Sequence, residues 1–223
     1  MSKVIAVANQ KGGVGKTTTS VNLAASLATA ERSTLLIDID PQANASSGLG
    51  LDTVNVSVTI YEILLNLKDA HAGVQNTELP SLRVIPSTIN LVGAEYELID
   101  VEQREHLLRK ALKGMRDEFD YVIIDCPPSL GLLTLNSLTA ADSFLVPVQC
   151  EYLSLEGLGM LTRTLELVQR RLNPSLVISG LIMTMFDPRT RLSSEVVAEV
   201  GRHFPQQRFD TVIPRNIRLS EAP

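Results

Sequence analysis

The chain has 223 residues, 44 % hydrophobic and 20 % charged, with a formal net charge of −5. That length and balance fit one globular domain with a large core, and they exclude a disordered chain and a wholly basic nucleic-acid binder. With no Trp and 4 % aromatic residues, the core must be built from Leu, Ile, Val and Ala.

The remaining bulk features narrow the class. Cys126 and Cys150 form no CxxC pair, which argues against a disulfide framework and for a reducing cytosol. His71, His106 and His203 are scattered, with no metal-ligand spacing. No apolar run reaches about 18 residues, so no membrane span is expected. A first strand beginning at residue 4 leaves no room for a signal peptide. There is no repeat and no linker, so residues 1–223 are expected to form one domain.

Val4 to Ala8 is a short apolar run that reads as a buried parallel strand. It breaks at Asn9-Gln10 into Lys11-Gly12-Gly13-Val14-Gly15-Lys16-Thr17-Thr18, and a helical pattern follows through Val21, Leu23, Ala24, Leu27 and Ala28. Strand, glycine loop and helix form the context of a P-loop. The glycines let backbone N–H groups close on phosphate oxygens, with the helix N-terminus aimed at the charge. Lys16 is placed to reach the β- and γ-phosphates of ATP, and the Thr17 hydroxyl to ligate Mg²⁺. The generic pattern G-x-x-x-x-G-K-[ST] is not met: Gln10 stands where its first glycine belongs, and Lys11 adds a second lysine inside the loop.

Further along, Leu35 to Ile39 is a second apolar run, ending in Asp38-Ile39-Asp40-Pro41-Gln42. Carboxylates at the C-terminal end of a parallel strand sit where open α/β sheets bind ligands. Residues 43–56 read as a loop and residues 68–81 as a surface excursion. Ser57 or Thr59 is placed to cap a helix through Tyr61, Ile63, Leu64 and Leu67. Leu82 to Ile85 reads as a short strand, and Glu102 to Met115 as an amphipathic helix with Leu107, Leu108, Ala111, Leu112 and Met115 on one face. Tyr121 to Asp125 is a third strand with a terminal carboxylate, the Walker B form, whose Asp acts on the Mg²⁺ shell.

The later pattern alternates again. Leu132 to Ala141 is helical, Phe144 to Val148 a strand, Ser154 to Leu172 a long helix and Val177 to Met185 a strand. Ser193 to Phe204 is a helix with Ser193 as its cap, and Phe209 to Ile213 a last strand. Strands that are apolar throughout, alternating with helices, imply a mostly parallel twisted sheet with helices on both faces.

The loop KGGVGKT resembles the deviant Walker A ATPases, a group that includes ParA/Soj, MinD and the nitrogenase iron protein. DIDPQ, VIIDCPPS, MTMFDPR and IPRNIRLSEAP, together with NQKGGVGKTTTSVNLA, make the whole chain similar to the short ParA/Soj partitioning ATPases. This resemblance implies a P-loop NTPase of the SIMIBI type that binds ATP or ADP with Mg²⁺. Gly12, Gly13, Val14, Gly15, Lys16, Thr17 and Thr18 would cradle the nucleotide. It also implies an ATP-dependent homodimer in which Lys11 reaches the partner's phosphates. Asp40 would position or activate water, Asp38 and Asp125 would lie nearer the metal, and Pro214 and Asn216 would face adenine.

Expected partners are non-specific double-stranded DNA, contacted by Arg189 and Arg218, and a ParB-type centromere-binding protein. The expected location is cytoplasmic and nucleoid-associated. Residues 187–223 carry six Arg against five acids, near +1, while the other 186 residues are near −6. The bland alternative for these arginines is a solvated face with ion pairs to Glu195, Glu199 or Glu221. Relatives in this family continue past the SEAP motif, so a C-terminal segment beyond Pro223 is expected. The alternative reading is a membrane-surface ATPase of the MinD kind, which needs a basic amphipathic helix that these residues do not supply. An Fe–S role would need cysteines at the iron protein's positions, which Cys126 and Cys150 do not match.

Overall fold

Strict alternation along the central strands splits the core in two. On β1 (Lys3–Val7), Val4 and Ala6 face one layer, and Ile5 and Val7 the other. β2 (Thr34–Asp38) divides Leu35 and Ile37 from Leu36 in the same way, and β5 (Tyr121–Asp125) divides Val122 and Ile124 from Ile123. Strands apolar on both sides can only be satisfied inside a sheet covered twice. The computed structural model describes residues 2–151 and 153–217, and it contains that sheet.

The other strands are β3 (Gln75–Asn76), β4 (Leu82–Ile85), β6 (Ser143–Gln149), β7 (Val177–Phe186) and β8 (Arg208–Pro214). Their order is β3-β4-β2-β5-β1-β6-β7-β8, and every pairing is parallel except β3 with β4. β1 and β2 are not neighbours, because β5 inserts between them. Val7 and Asp38 are both in register with Asp125.

One face carries α1 (Lys16–Thr29), which buries Ala24 and Ala28, and the short α2 (Asn44–Gly48). The opposite face carries α3 (Ile60–Leu64), α4 (Leu91–Glu97), α5 (Leu107–Ala111), α6 (Leu132–Ala140), α7 (Leu153–Arg171) and α8 (Arg191–His203). Among the described residues, no helix is long and apolar enough to cross a membrane.

Five local expectations are corrected. Residues 43–56 are not all loop, since α2 forms there around Ser46, which Asp38 holds by both its N–H and its hydroxyl. The helix expected over 102–115 breaks into a 3₁₀ turn at Arg104–His106 and the short α5. Gln103 and Gly114, at φ 55° and 101°, bracket that span with left-handed backbone a helix cannot contain. α8 starts two residues before Ser193, because the Thr190 side chain accepts from Ser193 N–H. β8 is an edge strand with Phe209, Asp210 and Thr211 exposed, so the last strand is not buried on both faces. Beside it, the α1 face of the sheet opens as a groove of about 710 Å³ lined by Leu23, Leu145, Ile182, Phe209 and Ile213. Thr59 does cap α3, in a reciprocal box with Glu62, but the helix ends before Leu67, which is exposed.

Candidate nucleotide site at the strand ends

The loop after β1 is tied down at several points. Asn9 donates its side-chain amide to Pro147 O at 2.7 Å and accepts from Lys11 N–H at 3.0 Å, which fixes the loop entrance to β6. Farther on, the Thr184 hydroxyl of β7 donates to Val14 O at 2.8 Å. Gly13 and Gly15 hold φ of 69° and 87°, a region that strains any residue with a Cβ. Gly15 is the N-cap of α1 and supplies no capping side chain, and no acidic residue sits in the first turn. Nothing from the side chains therefore competes for the first N–H groups of α1, which suit an anion.

Lys16, the first residue of α1, is buried, and its ammonium donates to Lys11 O at 3.1 Å. Burial lowers its pKa, and the nearby charges of Asp125 and Asp40 oppose that shift. Asp38 ends β2. Its Oδ2 accepts from Ser46 N–H and hydroxyl at 2.8 and 2.7 Å, and its Oδ1 from Asp40 N–H at 3.1 Å. Asp125 ends β5, and its Oδ1 accepts from the Ser20 hydroxyl at 2.7 Å. Burial pushes Asp38 up to about 6 and Asp125 up to about 7, and the charge of Asp38 adds to the rise at Asp125. Asp40 is buried and accepts from Gln42 N–H at 2.9 Å.

Among the described residues, the buried Asp125 Oδ2 has no hydrogen-bond partner. A buried carboxylate oxygen without a partner, beside a second buried carboxylate, fits a hard cation. Among the described residues, no cluster of three or more His, Cys, Asp or Glu could hold a metal by itself. The groups that could hold such a cation are thus the two carboxylates with the Thr17 hydroxyl, whose hydrogen bond works against the rise of the Asp125 pKa. That is the sparse protein share Mg²⁺ takes when phosphates complete its shell.

Pro214 and Asn216 line a cavity of about 120 Å³ with Gly15, Thr18, Thr19, Thr184 and Met185, so the end of β8 stands beside the loop. The exposed guanidinium of Arg189 is paired with Asp187 through bonds of 2.9 and 2.7 Å, and not with the glutamates of the alternative reading. Arg191 and Arg202 take Glu195 and Glu199. Arg218 lies outside the described residues.

Sequence reasoning missed Ser20, Ser46, Thr184 and Glu151. Glu151 pairs with Lys11 at 3.1 Å and lies two residues past the end of β6, as Asp40 does past the end of β2. The strand-end rule that picked out Asp38 and Asp125 would have found it.

A family model described as an AAA domain matches residues 2–178. The chain is 56 % identical to the chromosome partitioning protein ParA of Myxococcus xanthus, over all of this chain and 79 % of that protein. It is 54 % identical to the sporulation initiation inhibitor protein Soj of Bacillus subtilis, over all of this chain and 88 % of that protein. Its fold matches a crystal structure of a protein named cobyrinic acid a,c-diamide synthase from Mycobacterium smegmatis, with an ATP analogue and magnesium bound. The TM-score is 0.92 and the identity 41 %, over all of this chain and 91 % of that one.

Proposed function

Since the chain belongs to the ParA/Soj family of partitioning ATPases, we propose that it is an ATP-driven switch that binds DNA as a dimer and releases it on hydrolysis. The ATPase activity and the use of Mg²⁺ follow from the family and the P-loop fold. The observation that carries the partitioning reading is likeness over the full chain to proteins named for chromosome partitioning. The M. smegmatis protein is named for a different reaction, but it is less similar, at 41 % against 56 and 54 %.

In this reading the glycine loop and Lys16 hold the β- and γ-phosphates, with the N–H groups of α1 as further donors. Thr17, Asp38 and Asp125 hold Mg²⁺, which when bound offsets phosphate charge. Asp40, at the outer end of the carboxylate row, orients the attacking water. Pro214 and Asn216 bound the base. Lys11 crosses to the phosphates of a second copy, which makes closure of the dimer depend on ATP. Arg189 and Arg218 of both copies contact DNA phosphates without reading sequence. A ParB-type protein stimulates hydrolysis, and the switch works in the cytoplasm on the nucleoid.

The test is co-sedimentation with duplex DNA, with and without ATP and Mg²⁺, beside co-sedimentation with anionic liposomes. ATP-dependent retention on unrelated DNA sequences is expected. ATP-dependent retention on liposomes alone would replace this reading with a MinD-like one.

A further inference from the structure

Lys11 is held at both ends. Its carbonyl accepts from the Lys16 ammonium at 3.1 Å, and its own ammonium lies 3.1 Å from Glu151 Oε2. Glu151 follows the end of β6, where its N–H donates to Gln149 O at 2.8 Å and its Oε1 accepts from Gln149 Nε2 at 2.8 Å. Arg215 Nη2 lies 3.6 Å from the same Oε1. One carboxylate thus joins the outer lysine of the loop to the turn that carries Pro214 and Asn216.

The pair is half-open to water, with side-chain exposures of 29 % for Lys11 and 45 % for Glu151. At that exposure an ion pair is weak and exchangeable. A triphosphate carries more charge than a carboxylate and attracts the ammonium more strongly. When Lys11 leaves, Arg215 still faces Glu151, so the carboxylate is not left without a counter-charge.

We propose that Glu151 is a positioning residue that latches Lys11 in cis within one chain and yields it to the phosphates of a second copy when two copies close. This rests on the switch reading above. The latch opposes closure, so its removal favours the dimer.

Sedimentation equilibrium of the whole chain with a non-hydrolysable ATP analogue and Mg²⁺ tests it. Glu151→Gln keeps the shape and the Gln149 contact but removes the charge. It should tighten the dimer by about 5-fold per protomer, about 25-fold for the pair, the upper range for an exposed ion pair. Glu151→Asp, which keeps the charge, should dimerise like the wild type. In a Lys11→Ala background, Glu151→Gln should add nothing, because the two residues act as one unit. A wild type that dimerises while Glu151→Gln leaves it unchanged or weaker overturns the latch alone. A gain that persists without Lys11 does the same. A wild type that stays monomeric overturns both the switch and the latch.

Discussion

Asp38 and Asp125 are register partners on adjacent parallel strands, so two buried carboxylates end side by side at the mouth of the glycine loop. Ser46 of α2 holds Asp38 and Ser20 of α1 holds Asp125, and among the described residues Asp125 Oδ2 has no partner. The fold therefore stores two anionic groups where water cannot solvate them.

A carboxyl raised in the folded state withdraws stability as pH climbs from its ordinary value to the raised one. With Asp38 at about 6 and Asp125 at about 7, that window runs from about 4 to 7. Asp125→Asn removes one of the two charges. Without nucleotide, its melting temperature should match the wild type near pH 4 and exceed it by about 2–4 °C at pH 8. Mg²⁺-dependent hydrolysis should be lost in the same variant. Thermal scans at the two pH values, beside an ATPase assay, decide; a lower melting temperature at pH 8 would contradict the cost assigned to the buried charge.

Lys16 and Lys11 should separate cleanly. The Lys16 ammonium contacts the main-chain carbonyl of Lys11, so Lys11→Ala leaves that bond in place. Lys16→Ala should abolish ATP binding in isothermal titration, since the phosphates lose their buried cation. Lys11→Ala should keep monomer binding and weaken the ATP-dependent dimer. Equal loss of nucleotide affinity in both variants would place Lys11 in cis.

Thr184 reaches from β7 to brace the loop at Val14 O. Thr184→Val keeps the shape and removes the donor. It should cost about 1 kcal/mol of stability and weaken ATP binding with little change in the turnover of saturated enzyme. Denaturant unfolding and steady-state kinetics measure the two effects. Unchanged affinity would mean the loop holds its shape without this brace.

Arg189 and Asp187 form a fork-like pair that holds the Asp187 carboxyl down at about 2, chiefly through the hydrogen bonds from the guanidinium. A carboxyl lowered in the folded state adds stability above its ordinary value and loses it as pH falls toward 2. In Arg189→Ala, the Asp187 titration followed by NMR should move up toward the ordinary carboxylate range, while the backbone N–H of residue 189 and the Arg215 charge still hold it partly down. If the exposed face of Arg189 meets phosphate, the same variant should lower the slope of log K against log salt by about two per dimer. The loss should be equal on two unrelated duplexes. An unchanged slope would put the DNA surface elsewhere.

The sequence by itself determined the strands that end in Asp38 and Asp125, the glycine loop and its lysines. Those features are local: an apolar run, a break, and residue types whose backbone or charge has one use there. It also located β4 and β5 to the residue, because both are short apolar runs, broken in β4 only by Arg83 and closed in β5 by Asp125. What it could not contain was strand order. Only the insertion of β5 between β1 and β2 puts Asp125 beside Asp38, and only the close of β6 and β8 on the loop brings Glu151 to Lys11 and Arg215. The broken helix after Gln103 and the exposed β8 escaped for the same reason. Periodicity reports which side of an element is apolar, whereas neighbours distant in sequence decide how far the element runs and what covers it.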